Sequence, residues 1–90
     1  MIEREVTVTN RAGIHARPAA MIVQTASRFE SRIMLGKDDE EINAKSIMGI
    51  ITLGAGYDTV LNLKVEGPDE QEAADALAAL FDNRFQEEPA

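Results

Sequence analysis

The sequence predicts an α+β sandwich in which three helices cover one face of a four-stranded antiparallel sheet. Three observations predict it. Four stretches alternate apolar and polar residues as strands do, three space apolar residues as helices do, and turn-forming residues separate them. The order is β-α-β-β-α-β-α, which also fits another split βαβ fold with a different strand order. At 90 residues the chain has the length of one domain, which we place at 1–86, followed by a short flexible tail at 87–90.

The chain opens with a predicted strand and an amphipathic helix. Residues 2–9 alternate between apolar and polar side chains, which is typical of a half-buried strand. A helix is predicted over 16–29. Pro18 is tolerated only in a first helical turn, where its missing N–H is not needed, so this helix begins at about Ala16. The predicted apolar face consists of Ala19, Ala20, Met21, Val23, Ala26 and Phe29.

A hairpin and a short helix are predicted next. Strands over 31–37 and 41–44 flank a polar turn. The stretch 46–53 is rich in β-branched residues, as a strand would be, but Ser46 is a good N-cap and Gly54 a good helix terminator. The helical interpretation is favoured by the i, i+3, i+4 spacing of Ile47, Ile50 and Ile51.

The last elements are a strand over 59–66 and a third helix. Gly67 and Pro68 break the strand, and Asp69 is predicted to cap the helix with Glu72 as its capping-box partner. The predicted buried face of this helix consists of Ala73, Leu77, Leu80, Phe81 and Arg84.

Composition excludes several classes of protein. Without cysteine the chain has no disulfides or thiolate zinc sites, and a single histidine argues against a histidine-based metal site. No apolar run is long enough to span a bilayer, and no signal peptide is recognisable, so we expect a cytoplasmic protein without membrane insertion. The net charge of −7 argues against nucleic-acid binding. Residues 1–37 nevertheless carry more basic than acidic side chains, which would attract an anion or an acidic partner.

The single histidine, His15, lies at the predicted start of the first helix. The first N–H groups of a helix, here those of Ala16 and Arg17, have no internal partner and bind phosphate readily. A neutral imidazole is a nucleophile, and the guanidinium of Arg17 suits phosphate oxygens. The sequence shows no Walker-type loop, metal cluster or second catalytic base near His15, so another protein would have to load the phosphoryl group. The alternative is that His15 caps the helix or fills a loop.

Two motifs carry a family resemblance. The sequence G-I-H-A-R-P-A-A at 13–20 resembles the active-site signature of HPr, the histidine-containing phosphocarrier family of the bacterial phosphoenolpyruvate-dependent sugar phosphotransferase system. The usual signature has leucine where this chain has Ile14. A second stretch, 44–53, resembles the family's regulatory-serine segment. The resemblance covers about 2–85 and implies the HPr-like open-faced β-sandwich.

The resemblance also implies residue roles and partners. His15 would accept a phosphoryl group from phosphorylated enzyme I, which takes it from phosphoenolpyruvate, and would pass it to an enzyme IIA domain. Arg17 would hold the phosphate. Ser46 would be phosphorylated from ATP by HPr kinase/phosphorylase, and a transcriptional regulator is a further partner that the family suggests. The protein would be a monomeric carrier, not an enzyme, and would need no cofactor.

A docking surface is expected beside His15. The short helix has more apolar residues than one buried face requires, and exposed apolar residues near a reactive group indicate docking. The candidates are Ala20, Ile47, Met48 and Ile51, of which Met48 and Ile47 are favoured over Ile51.

Three other functions remain open. One is the nitrogen-related paralogue, which uses the same histidine chemistry for regulation. Another is a regulatory binding module that acts through phosphorylated Ser46; the family's member of that kind lacks the histidine that this chain keeps. The third is a structural interaction domain, against which His15 and Arg17 argue.

Overall fold

The computed structural model describes residues 1–87 and confirms the predicted fold class and the order β-α-β-β-α-β-α. A single left-handed turn over residues 84–86 follows the last helix. The elements are β1 (Ile2–Thr7), α1 (Ala16–Ala26), β2 (Arg32–Lys37), β3 (Glu40–Asn43), α2 (Ile47–Leu53), β4 (Val60–Glu66) and α3 (Glu70–Asp82).

The sheet has the strand order β1-β4-β2-β3, and all its neighbouring strands are antiparallel. Leu35 in β2 lies opposite Leu63 of β4 on one side and Ile42 of β3 on the other. This order decides between the alternatives that the sequence pattern left open. Because β1 pairs with β4, the loop that follows β1 meets the segment between α2 and β4.

One face of the sheet forms the core with the helices, as the alternation predicts. Helix α3 packs on β1 and β4 and also contacts α1, whereas α2 packs against β3 and α1. Burying these apolar side chains is the main favourable contribution to folding. The buried side chains of the sheet are Val6, Ile33, Leu35, Leu61, Leu63 and Val65.

Helix α1 begins as predicted but ends three residues early, at Ala26. The N–H groups of Arg28 and Phe29 bond to carbonyls three residues back, so the chain tightens into a turn instead of continuing the helix. The predicted apolar face omitted Ile22, which is fully buried. Half-buried positions include Ala20, Met21 and Val23, whereas the buried ones are Pro18, Ala19, Ile22 and Ala26.

Helix α2 has the predicted boundaries. The Oγ atom of Ser46 accepts a hydrogen bond from the N–H of Gly49 at 3.1 Å, so Ser46 is a true N-cap. Gly54 ends the helix with a left-handed φ of 63°, a conformation that favours glycine. Of the predicted isoleucine stripe only Ile50 is buried, together with Leu53.

The capping box predicted for α3 is wrong. Asp69 precedes the helix, but its side chain makes no cap hydrogen bond. Its carboxylate instead accepts hydrogen bonds from the N–H groups of Glu30 and Ser31, at 3.0 and 2.9 Å, and from the Ser31 hydroxyl. These donors lie just before β2, and they occupy the carboxylate in place of the N–H groups at the start of α3. The carboxylate that does accept a backbone N–H at this helix start is that of Glu70, which bonds to the N–H of Gly67 at 3.2 Å.

The predicted face of α3 is confirmed at Ala73, Leu77 and Phe81. Leu80 is half-buried. Arg84 is exposed and lies beyond the helix, because the backbone becomes left-handed there with a φ of 57°.

The hydrogen bonds to Asp69 make stability depend on pH. The hydroxyl of Ser31 and the backbone N–H of Glu30 hold the pKa of Asp69 below its ordinary value of 3.8. The resulting stabilisation is fully present above the unfolded-state pKa and is lost as pH falls through the folded-state pKa. Asp69→Asn should therefore lower the urea midpoint of unfolding more at about pH 7 than at about pH 3. An equal loss at both pH values would contradict this prediction.

Candidate functional site

The loop before α1 is held by backbone bonds to the segment that follows α2. The N–H of Ile14 donates to the carbonyl of Ala55 at 2.9 Å, and the N–H of Val8 donates to that of Thr59 at 2.9 Å. Gly13 adopts a φ of +75°, and a Cβ there would lie 3.1 Å from the carbonyl oxygen of Ala55. Glycine is therefore required for the loop to approach this segment.

His15 occupies the N-cap position of α1 in an extended conformation, and its carbonyl accepts the N–H of Ala19 at 3.0 Å. His15 is therefore the N-cap residue by position, but within the described residues its imidazole makes no capping bond and is not used to close the helix end. Pro18 lies in the first turn, and the N–H groups of Ala16 and Arg17 have no partner inside α1. The helix start thus presents an imidazole and two unused donors together.

A carboxylate contacts the imidazole, contrary to the prediction that no second base lies near His15. The Nε2 atom of His15 is 2.7 Å from Oε2 of Glu87. The Nδ2 atom of Asn10 donates to Oε1 of Glu87 at 2.8 Å and to the carbonyl of Gly13 at 2.8 Å. Because an ionised carboxylate only accepts hydrogen bonds, this contact requires a hydrogen on Nε2 of the imidazole.

Arg17 points toward the same carboxylate. Its Nη1 atom lies 3.9 Å from Oε2 of Glu87 and donates to the carbonyl of Phe85 at 3.2 Å. The side chains of His15 and Arg17 are 45% and 55% exposed, whereas that of Glu87 is 15% exposed. The two basic groups therefore face outward above a mostly covered carboxylate. The structure thus brings His15 and Arg17 together, as predicted, and adds contacts with Asn10, Phe85 and Glu87 that the prediction missed.

A left-handed turn places Glu87 beneath His15. Arg84, Phe85 and Gln86 have φ values of 57°, 54° and 60°, a region that costs L residues about 1–2 kcal/mol each. The ring of Phe85 is fully buried and packs edge-on against Phe81, with 5.0 Å between ring centroids. Burial of such a ring contributes about 1.5–3 kcal/mol and offsets much of the strain. Phe85 lies four residues after Phe81, a spacing that the sequence could equally use to continue the helix.

The predicted tail at 87–90 is only partly within the described chain. Residue 87 packs at the site through the contacts above, and residues 88–90 lie outside the described residues.

The predicted docking residues fall into two groups. Ile47, Met48 and Ile51 are 42%, 70% and 44% exposed on α2, whereas Ala20 is half-buried in α1. Helix α2 packs beside α1, and the loop after α2 is bonded to the loop before His15. We call Ile47, Met48 and Ile51 the α2 patch. The structure thus leaves an apolar surface on the helix next to the one that His15 begins.

The site lies on open surface. One surface hollow lies over the exposed face of the sheet and a second lies beside the β2–β3 turn, and neither is lined by His15.

In the described chain, 1–87, no cluster of histidine, aspartate and glutamate side chains is placed to hold a metal ion. None of the helices in this part of the chain is long and apolar enough to cross a membrane.

Comparison with known families shows to which family the chain belongs. A family model described as the PTS HPr component phosphorylation site matches residues 2–83. The chain belongs to the HPr family. The phosphocarrier protein HPr of Treponema pallidum is 57% identical to it over 88 residues, which are 98% of this chain and 100% of that protein. The HPr-like protein Crh of Halalkalibacterium halodurans is 48% identical over 82 residues, 91% of this chain and 98% of that one.

The family likeness extends to the structure. An HPr from Thermoanaerobacter tengcongensis superposes with a TM-score of 0.95 at 49% identity, covering 99% of this chain and 100% of that one. The resemblance inferred from the two motifs is therefore confirmed, as is the HPr-like fold. The chain is a phosphocarrier of the phosphotransferase system, not an enzyme that turns over a substrate.

Proposed function

We propose that this HPr-family carrier accepts a phosphoryl group on His15 from phosphorylated enzyme I in the cytoplasm and passes it to enzyme IIA domains. The observation that supports this most directly is the exposed imidazole at the start of α1, with the Arg17 guanidinium beside it. The phosphoryl group would originate from phosphoenolpyruvate. An open surface suits such a relay, because the donor and the acceptor must each bring their own catalytic groups to the same ring.

The hydrogen bond to Glu87 indicates which ring nitrogen reacts. Since Nε2 carries the hydrogen, the lone pair available for attack lies on Nδ1. A bond forms between Nδ1 and phosphorus, and the bond between phosphorus and the donor breaks, leaving its electron pair on the donor. The oxygens of the bound phosphoryl group would then be held by Arg17 and by the N–H groups of Ala16 and Arg17.

The α2 patch supports a docking role. Three exposed apolar side chains stand on a short helix whose other face is buried, beside the helix that starts at His15. Met48 is the most exposed of them and has a flexible side chain, which suits a carrier that meets several partners through one surface. Ala20 would contribute at the border with α1, where it is half-buried.

Ser46 would regulate that docking. Its Oγ atom lies at the N-terminus of α2 and already accepts the N–H of Gly49. A phosphate there would add about −1.5 to −2 charges, which the helix dipole favours and the fold accommodates. The same charge beside the α2 patch would repel an acidic partner such as enzyme I. HPr kinase/phosphorylase is the expected modifying enzyme.

A purely regulatory function is the second candidate. The similarity to an HPr-like protein named Crh favours it, and so does the serine segment around α2. Partner binding through phosphorylated Ser46, for example to a transcriptional regulator, would then be the main activity. The exposed His15 with Arg17 beside it favours the carrier, and the nitrogen-related branch would use the same two residues.

The carrier function predicts an acid-labile label on His15. Incubation with enzyme I and labelled phosphoenolpyruvate should label the wild type, and His15→Ala should take no label because the nucleophile is gone. Ser46→Ala is the matched control and should be labelled like the wild type. A wild type that stays unlabelled, with an enzyme I that labels another HPr, would contradict the proposal.

The regulatory role predicts a second, acid-stable label. The kinase and labelled ATP should modify the wild type but not Ser46→Ala. Thr52→Ala is the control, because Thr52 is an exposed hydroxyl on the same helix whose Oγ1 donates to the carbonyl of Met48. Label that persists in Ser46→Ala would place the modification elsewhere.

The docking role predicts a change in KM for the carrier. Met48→Ala should raise the KM of enzyme I for this protein roughly fivefold to tenfold with little change in kcat, because binding area is lost and the reacting groups are not. Val60→Ala removes a comparably exposed apolar side chain from the open face of the sheet and should leave KM unchanged. Equal effects of the two substitutions would argue against the α2 patch.

A further inference from the structure

We propose that Glu87, itself held by Asn10, is a positioning residue for phosphoryl transfer: it keeps the hydrogen of the His15 ring on Nε2 and balances the positive charge that phosphorylation creates. This inference rests on the proposed carrier function. It assigns a role to a side chain near the C-terminal end of the described chain, outside both sequence motifs.

Both oxygens of the Glu87 carboxylate are engaged. Oε2 lies 2.7 Å from Nε2 of His15, and Oε1 accepts the Nδ2 hydrogen of Asn10 at 2.8 Å. Asn10 is fully buried and binds the carbonyl of Gly13 with the same amide, so it ties the carboxylate to the loop that carries His15. The Oδ1 atom of Asn10 is buried without a hydrogen-bond donor among residues 1–87, an unfavourable state that this arrangement tolerates.

The backbone is also strained to deliver Glu87. Arg84, Phe85 and Gln86 are three consecutive residues in the left-handed region, and none is glycine. Such strain persists where surrounding contacts enforce it, and it concentrates at functional sites. Here the buried ring of Phe85 and the bond from Arg17 to its carbonyl enforce the turn. The turn directs the next residue, Glu87, toward the imidazole.

The carboxylate matches the charge changes of the reaction. When Nδ1 bonds to phosphorus, the ring keeps its hydrogen on Nε2 and becomes a cation. That cation then faces the carboxylate of Glu87, and no proton has to leave. When the group is passed on, the bond between Nδ1 and phosphorus breaks, its electron pair returns to Nδ1, and the ring is neutral again. A carboxylate that orients an imidazole and stabilises its cation is a known catalytic arrangement.

The test compares Glu87→Ala and Glu87→Gln in the full chain. The ¹⁵N chemical shifts of the ring nitrogens report where the hydrogen lies, and labelling by enzyme I and phosphoenolpyruvate reports the rate of phosphorylation. We expect the wild-type ring to carry its hydrogen on Nε2, and the ring of Glu87→Ala to populate both forms. Phosphorylation of Glu87→Ala should be roughly tenfold slower, as loss of one charge-assisted hydrogen bond would produce.

The conservative variant separates positioning from charge. Glu87→Gln loses the charge and keeps one oxygen that can accept the Nε2 hydrogen, but its NH2 group then faces the Asn10 amide, which is also a donor. It should therefore shift the ¹⁵N spectrum back toward that of the wild type and restore part of the rate. Glu66→Ala is the matched control, since Glu66 is an exposed carboxylate at the end of β4, opposite Arg32 of β2. It should leave both measurements unchanged, and thermal unfolding of all variants checks that the fold is intact.

The outcomes separate the two proposals. A wild type that takes no label would overturn the carrier function itself. A wild type that is labelled no faster than Glu87→Ala would overturn only the role of Glu87. An unchanged ¹⁵N spectrum in Glu87→Ala would overturn it as well, because the position of the ring hydrogen would then not depend on the carboxylate.

Discussion

Burial of Phe85 against Phe81 is the interaction on which the arrangement at His15 depends. The ring is fully enclosed, so the chain cannot leave this position without exposing a large apolar surface. With the ring in place, the backbone carbonyl of Phe85 accepts a hydrogen bond from Arg17. The left-handed turn at 84–86 then directs Glu87 to the imidazole. The antiparallel pairing of β1 with β4 provides the frame, because it brings the loop after β1 to the segment that follows α2.

The surface around His15 combines two kinds of region. The imidazole and Arg17 are held by ordered contacts below them and remain about half exposed. The α2 patch, by contrast, is apolar and has no covering element among the described residues. A phosphocarrier needs both regions, because its reacting atom must be placed accurately while its partners change. Ser46 lies at the N-terminus of the helix that carries this patch.

Much of the fold was predictable because the local signals agree with the tertiary structure. The alternation of apolar and polar residues identified the core face of β1 and β4. The two ends of α2 were predicted from Ser46 and Gly54, and the start of α1 from Pro18. The errors occurred where distant groups compete for a side chain. Asp69 has the residue type and position of an N-cap, yet the N–H groups of Glu30 and Ser31 hold its carboxylate. Ile22 lies three residues after Ala19 and four before Ala26, so it shares their buried face.

The sequence by itself determined the start of α1 and the place of the His15 ring at that start, since a proline without an N–H restricts a helix to one local register. It also determined the family, through two short motifs whose residues are close together along the chain. Only the tertiary structure decided what lies beneath that ring. Asn10 and Glu87 are 77 positions apart and meet through a hydrogen bond, because the left-handed turn at 84–86 places Glu87 there. The contact depends on how Phe85 packs, and packing against a distant helix leaves no periodic signal in the sequence.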